Sequence, residues 1–214
     1  MRRLVHILMS PSCRLVRLTL GEKRLAHNLE TAADPYAHLP ILTDSDGTSI
    51  SGLWAVIDYL EGEHTEHPLV PEEPDARAEA LRLLDWAMTI FHDAVTKRIV
   101  FEKASRNQTG SLTQRPPSML IVREGRKALG TALEDLGMLS EKRRYLAGRD
   151  PSLADFALAA HLSALDYFGE VPWTDYMAAA EWYMRIKSRP SFRPLLSDRL
   201  PGQPPVSHYA ELDF

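Results

Sequence analysis

In the first third of the chain the apolar residues come in short runs; from about residue 72 onward they recur every three or four positions. Leu4, Val5, Ile7 and Leu8 form a mostly apolar run that reads as a strand. Leu15, Val16, Leu18, Thr19 and Leu20 then follow helical spacing, and Gly21 stands where that helix is expected to stop. Residues 25–29 read as a second strand. Only residues 30–38, including Pro35, separate it from the next strand, which leaves room for at most a turn or two of helix. Leu39-Pro40-Ile41-Leu42 reads as strand three, Asp44-Ser45-Asp46-Gly47 as a tight turn, Thr48-Ser49-Ile50 as the returning strand, and residues 53–60 as a helix.

Beyond a linker marked by Pro71 and Pro74 the pattern is helical throughout. Ala78, Leu81, Leu84, Asp85, Met88, Phe91 and Val95 keep helical intervals over a long segment. Gly110 and two prolines make residues 107–117 a loop. A second long helix is expected over residues 118–139, with Leu120, Ile121, Ala128, Leu129, Ala132, Leu133 and Leu136 inward and Gly137 helping to end it. Ser152-Leu153-Ala154-Asp155 has the form of a capping box opening an apolar helix over residues 153–168, and residues 175–189 give a last helix stopped before Pro190. The expected architecture is α/β plus all-α: a small domain over residues 1–70, a helical domain over 71–196, and an extended tail over 197–214.

With 214 residues, 44% apolar and 25% charged, the chain can bury a sizeable core. A net charge of -4 gives no field that would gather nucleic acid or anionic lipid, so no nucleic-acid partner is expected. The run after Met1-Arg2-Arg3 is too short and too charged for an export signal, since it holds His6 and is followed by Arg14 and Arg17. No stretch is long and apolar enough to span a membrane. A single cysteine, Cys13, allows no internal disulfide and agrees with a reducing cytoplasm. The run Arg185, Lys187, Arg189, Arg193 and Arg199 reads as a solvated face.

The order of elements, Leu39-Pro40 at the third strand, the box Ser152-Leu153-Ala154-Asp155, and Trp182 through Ser188-Arg189-Pro190 together resemble the glutathione S-transferase fold family over nearly the whole chain. The resemblance implies an N-terminal thioredoxin-like domain with a cis bond before Pro40 and a C-terminal helical bundle nucleated by the capping box. It also implies a glutathione cleft at Leu39, Pro40, Gly52 and Leu53. Ser10-Pro11-Ser12-Cys13-Arg14 matches the serine or cysteine form of the family's catalytic motif. Cys13 takes the reactive position at a helix start, where the positive end favours a thiolate, and Ser10 and Ser12 flank it. A buried cysteine acting as a small apolar residue fits the same spacing.

The substrate-reading positions differ from the family pattern. Family enzymes open the helix after strand four with Glu or Gln followed by Ser; counting back from Tyr59-Leu60, those positions are Gly52 and Leu53. Neither can pair with the γ-glutamyl end of glutathione, and each missing partner costs about 1–3 kcal/mol. Cys13, Ser10, Ser12, Gly52 and Leu53 are therefore expected to be vestigial.

The sequence Leu20-Gly21-Glu22-Lys23, the altered cleft, and the ending His208-Tyr209-Ala210-Glu211-Leu212-Asp213-Phe214 resemble a non-catalytic branch of this family, alphaproteobacterial cell-division proteins that bind the tubulin-like protein FtsZ. That implies a cytoplasmic homodimer, at the division site, that binds FtsZ filaments and uses no cofactor or metal. Tyr209, Leu212, Asp213 and Phe214 are the candidate partner-binding residues, on a tail that either packs on its own bundle or stands exposed. Trimming residues 209–214 is expected to weaken partner binding more than stability. The alternative is a glutathione transferase using Cys13 or a neighbouring serine. A third reading on the same fold is an RNA-polymerase-associated regulator of the stringent-starvation type.

Overall fold

The computed structural model describes residues 1–34, 37–104 and 117–212. The N-terminal part builds β1 (Arg2–His6), α1 (Pro11–Glu22), β2 (His27–Thr31), β3 (Ile41–Thr43), β4 (Ser49–Ser51) and α2 (Leu53–Glu63). The strands form one sheet in the order β2-β1-β3-β4, with β1 parallel to β2 and antiparallel to β3. A parallel β1–β2 pair needs a crossover, and α1 supplies it. Leu4 of β1 and Leu42 of β3 lie opposite each other and are fully buried. β2 begins two residues later than the hydrophobic run predicts, and Leu29 is left 43% exposed at the sheet edge. No helix forms among the described residues between β2 and β3.

The helical part comprises α3 (Pro74–Trp86), a π-helical segment (Ala87–Thr96), α4 (Lys97–Lys103), α5 (Met119–Lys142), α6 (Leu153–Tyr167), α7 (Met177–Lys187) and α8 (Arg193–Leu196), with short 3-10 turns at Trp173–Asp175 and Ser207–Ala210. Glu73 caps α3 by accepting from the N–H groups of Asp75 and Ala76, and Pro74 fills the first turn, where its missing N–H costs nothing. Apolar periodicity presents residues 78–95 as one helix; the structure divides the rod instead, with π geometry across Ala87–Thr96. Thr96 at its end forms a hydrogen bond, Oγ1 to Nδ1 at 2.7 Å, with the buried His161 of α6.

All fifteen residues of α6 are buried. Its capping box is complete. Asp155 accepts from the Ser152 N–H and hydroxyl at 2.9 and 3.0 Å, and from the Leu146 N–H and Trp182 Nε1–H at 2.9 and 3.0 Å. Burial pushes its carboxyl upward and these four donors oppose that push. One side chain therefore fixes a helix start, the preceding loop and α7.

Two glycines expected to end helices do not. α1 runs through Gly21 to Glu22, and α5 runs through Gly137 to Lys142. Gly21 is needed for closeness: a Cβ there would lie 2.8 Å from Ser191 Cβ, so α1 and the C-terminal segment meet backbone to side chain. Most of the expected loop at 107–117 lies outside the described residues. No helix among them is long and apolar enough to cross a membrane.

Candidate functional site

The inherited cleft would lie where α1, the Leu39–Pro40 bend and the start of α2 converge. α1 begins at Pro11, with Ser10 as N-cap accepting from the Cys13 N–H at 3.5 Å. Ser12 is half-buried. Cys13 is fully buried, and its Sγ accepts from the Ile7 N–H at 3.5 Å. Burial raises the thiol pKa, against the weaker opposing effects of the Ile7 N–H, Ser10 and Arg17. Reactivity needs an accessible thiolate, and this position provides neither accessibility nor charge.

The bond before Pro40 is cis, as the resemblance implies. The Leu39 N–H donates to Ala37 O at 2.8 Å, and Pro40 O accepts from the Gly52 N–H at 2.9 Å, so these backbone groups are turned to internal partners. Gly52 is the N-cap of α2 with φ 90°. The imidazole of His38 lies over it: a Cβ at Gly52 would come within 2.5 Å of His38 Cε1 and 2.8 Å of Nε2. Ser51 Oγ donates to the His38 backbone carbonyl at 2.7 Å and holds the loop there, while His38 itself is exposed. Leu53 is 9% exposed and belongs to the core. The space a γ-glutamyl-reading side chain would need is thus occupied by His38. Sequence counting found the two altered positions but not the residue that fills them. A histidine thirteen residues before Ser51, in a loop, carries no periodic signal.

The tail is docked. Tyr209 is fully buried, its hydroxyl donates to Leu195 O at 2.9 Å and accepts from Arg14 Nη1 at 3.1 Å, and its ring meets Tyr167 edge-on at 5.1 Å. The expectation that Tyr209 contacts a partner is therefore corrected: it anchors the tail. Leu212 is 41% exposed, while Asp213 and Phe214 lie outside the described residues. Beside the anchor, the buried Asp166 accepts from Trp173 Nε1 at 2.8 Å, with Lys187 Nζ at 3.5 Å and His208 Nε2 at 3.3 Å. Lys187 is fully buried, and Arg189 pairs with Glu22 of α1, so the basic run 185–199 is not one solvated face.

Two residues of α1 that the sequence left without a role join the halves of the molecule. Arg14 is fully buried and donates to Leu8 O, Ser163 Oγ, Tyr209 and Asp198; Arg17 forms a two-pronged bridge to Asp198 at 2.8 and 2.9 Å. Two arginines three residues apart on an otherwise apolar helix face were the available signal. Among the described residues no group of three His, Cys, Asp or Glu is placed to hold a metal.

A small mixed sheet with a crossover helix, a cis-proline bend, and a bundle opened by a buried capping box define a protein of glutathione S-transferase fold. Its structure superposes on a glutathione S-transferase from Rhodospirillum rubrum F11 with a TM-score of 0.93, at 38% identity over 100% of both chains. It superposes on FzlA from C. crescentus with a TM-score of 0.92, at 41% identity over 100% of this chain and 99% of that one. FtsZ-localized protein A of Caulobacter vibrioides is 41% identical over 100% of this chain and 98% of its own length, and the chain belongs to that family. The glutathione transferase F7 of Populus trichocarpa shares the fold alone, at 20% identity, 91% and 97% coverage, and a TM-score of 0.74. No family model matches the chain.

Proposed function

We propose that this protein works at FtsZ assemblies as a non-catalytic division factor: a homodimer in the cytoplasm that binds FtsZ filaments and carries no glutathione, metal or nucleic acid. The observation that carries the reading is His38 seated over Gly52, with Leu53 in the core and Cys13 sealed from solvent. The full-length likeness to a protein named for its localisation with FtsZ supports the choice of partner. The exposed Leu212, with Asp213 and Phe214 after it, is the proposed contact, displayed by a tail that Tyr209 holds down.

Co-sedimentation with GTP-polymerised FtsZ tests the reading. Wild-type protein is expected in the pellet, and a Leu212→Asp variant is expected to stay largely in the supernatant with an unchanged melting curve. Calorimetry with millimolar glutathione is expected to give no heat of binding. No pelleting by wild type, or micromolar glutathione binding abolished by Cys13→Ala, would replace this reading with that of a thiol transferase.

A further inference from the structure

Of the four tryptophans, Trp173 and Trp182 are buried and Trp86 is half-buried, but Trp54, the second residue of α2, is 51% exposed. Leu53, Val56, Ile57 and Leu60 take the buried side of that helix, which leaves Trp54, Ala55 and Asp58 turned to solvent. Trp54 and Asp58 are four residues apart and share one side of the helix. The helix is acidic: it holds Asp58, Glu61 and Glu63 and no basic residue. Glu61 pairs with Lys23, whereas Asp58 forms no ion pair among the described residues.

The helical part carries a hollow of matching character. A cavity of about 370 Å³ opens between α3 and α5, walled by Leu83, Trp86, Leu136, Leu139, Leu146 and Leu158. Met138, also on its lining, is 55% exposed. Arg82, Asp135 and Lys142 stand on its rim. Arg82 and Arg143 share one acid, Glu79, and Lys142 forms no ion pair among the described residues. Cations therefore outnumber acids here, three (Arg82, Lys142, Arg143) to two (Glu79, Asp135). The indole of Trp54 does not fill this cavity in its own chain: α2 packs against α1 and β4, and Trp54 is not part of the lining.

We propose that a second copy of this chain fills the cavity: in a two-fold dimer, Trp54 of each protomer inserts between α3 and α5 of the other, with Asp58 facing Lys142. This names the contact surface of the homodimer in the proposed function, and it rests on that reading. One chain presents both plug and socket, and a two-fold axis uses each of them twice. A cavity of this size admits an indole, and a buried aromatic side chain removes about 150–250 Å² from water. A tryptophan desolvated in an apolar pocket and ringed by polar groups is the usual anchor of a protein interface. The opposite charges, unpaired within the chain, set the register of the two protomers more than they add affinity. Neither surface includes Leu212, the proposed filament contact.

Sedimentation velocity of the full-length protein over a dilution series tests the assignment. Wild type is expected to dimerise, with tryptophan emission moving to shorter wavelength as the dimer forms. Trp54→Ala alters an exposed side chain, so its circular dichroism should match wild type while its dimer dissociation constant rises at least a hundredfold, both copies of the contact being lost. Asp58→Lys and Lys142→Asp should each weaken the dimer at least threefold, and the double variant should return to within twofold of wild type. A wild type that stays monomeric at every concentration would overturn the homodimer and this surface together. A dimer that Trp54→Ala leaves equally tight would overturn the surface alone; if that variant also fails to pellet with FtsZ, the indole belongs to the filament contact instead. Absence of recovery in the double variant would overturn the pairing of Asp58 with Lys142.

Discussion

Shortening the tail at two different points separates its structural role from its partner role. Tyr209 is fully buried and bonded to both Leu195 O and Arg14, so Tyr209→Ala empties an aromatic-sized volume at the meeting of α1, α6 and the C-terminal segment. Loss of a buried aromatic costs about 3–5 kcal/mol. For a chain of this size each kcal/mol lowers the melting temperature by roughly 2–4 °C, so a fall of about 6–20 °C is expected. Tyr209→Phe keeps the ring and removes only the hydroxyl. Leu195 O still accepts from the Asp198 N–H at 3.2 Å, so the deficit falls on Arg14 and about 1 kcal/mol is expected. Removing residues 212–214 begins at a 41% exposed side chain and should cost less than about 0.5 kcal/mol. Urea denaturation followed by tryptophan fluorescence measures all three. The reasoning fails if Tyr209→Ala costs under about 1 kcal/mol, or if removing 212–214 costs as much as Tyr209→Ala. Because trimming 209–214 also removes the buried Tyr209 anchor, that truncation should lower stability as well, and partner assays belong to the shorter one.

Asp155→Ala leaves the N–H groups of Leu146, Ser152 and Trp182 facing a vacated acceptor; at about 1–3 kcal/mol per orphaned donor it should be among the most destabilising single changes, read by calorimetric melting. Gly52→Glu should lower the melting temperature through both φ 90° and the His38 ring, adding His38→Ala should recover part of the loss, and calorimetry should still detect no glutathione. His6, held down to about 4 against an ordinary 6.5, binds its proton more readily in the unfolded chain, so its contribution is present above pH 6.5 and lost as pH falls toward 4. A shift of that size corresponds to about 3 kcal/mol, and His6→Gln should flatten the melting temperature against pH across that window. Cys13 should react with iodoacetamide at pH 8 far more slowly in the folded protein than in urea, and equal rates would contradict its burial.

Much of the fold could be read in the chain because its signals are local. Pro74, the Ser152–Asp155 box and the turn at Asp44–Gly47 act within a few residues of themselves, and the apolar spacing holds through α6 and over Leu129, Ala132, Leu133 and Leu136 of α5; at the start of α5 Leu120, expected inward, is 64% exposed and Val122 is buried instead. The π geometry of Ala87–Thr96 was hidden because apolar spacing alone does not distinguish it from α-helix over so short a span. Gly21 reads as a helix stop because close packing against the distant Ser191 leaves the same letter in the sequence; at Gly137 a Cβ would meet Ala178 Cβ at an ordinary 3.6 Å, and nothing in its packing requires glycine. At the cleft, losing the reading pair was visible at Gly52 and Leu53, whereas the occupation by His38 depends on a loop path. Sequence leaves Tyr209 open between a docked and a displayed tail, because an alternating tail looks alike in both. The α1 donor to its hydroxyl, Arg14, is 195 residues away.

The Arg14–Asp198–Arg17 bridge also determines how the protein can be divided. The cations come from the thioredoxin-like part and their acid from the last segment of the chain. An isolated N-terminal half would carry two arginines shaped for burial and no acid to meet them, and a nascent chain holds them unpaired until Asp198 has been synthesised. Melting of the intact protein is therefore expected to be a single transition. A filament partner would meet two parts tied to each other by these buried ion pairs.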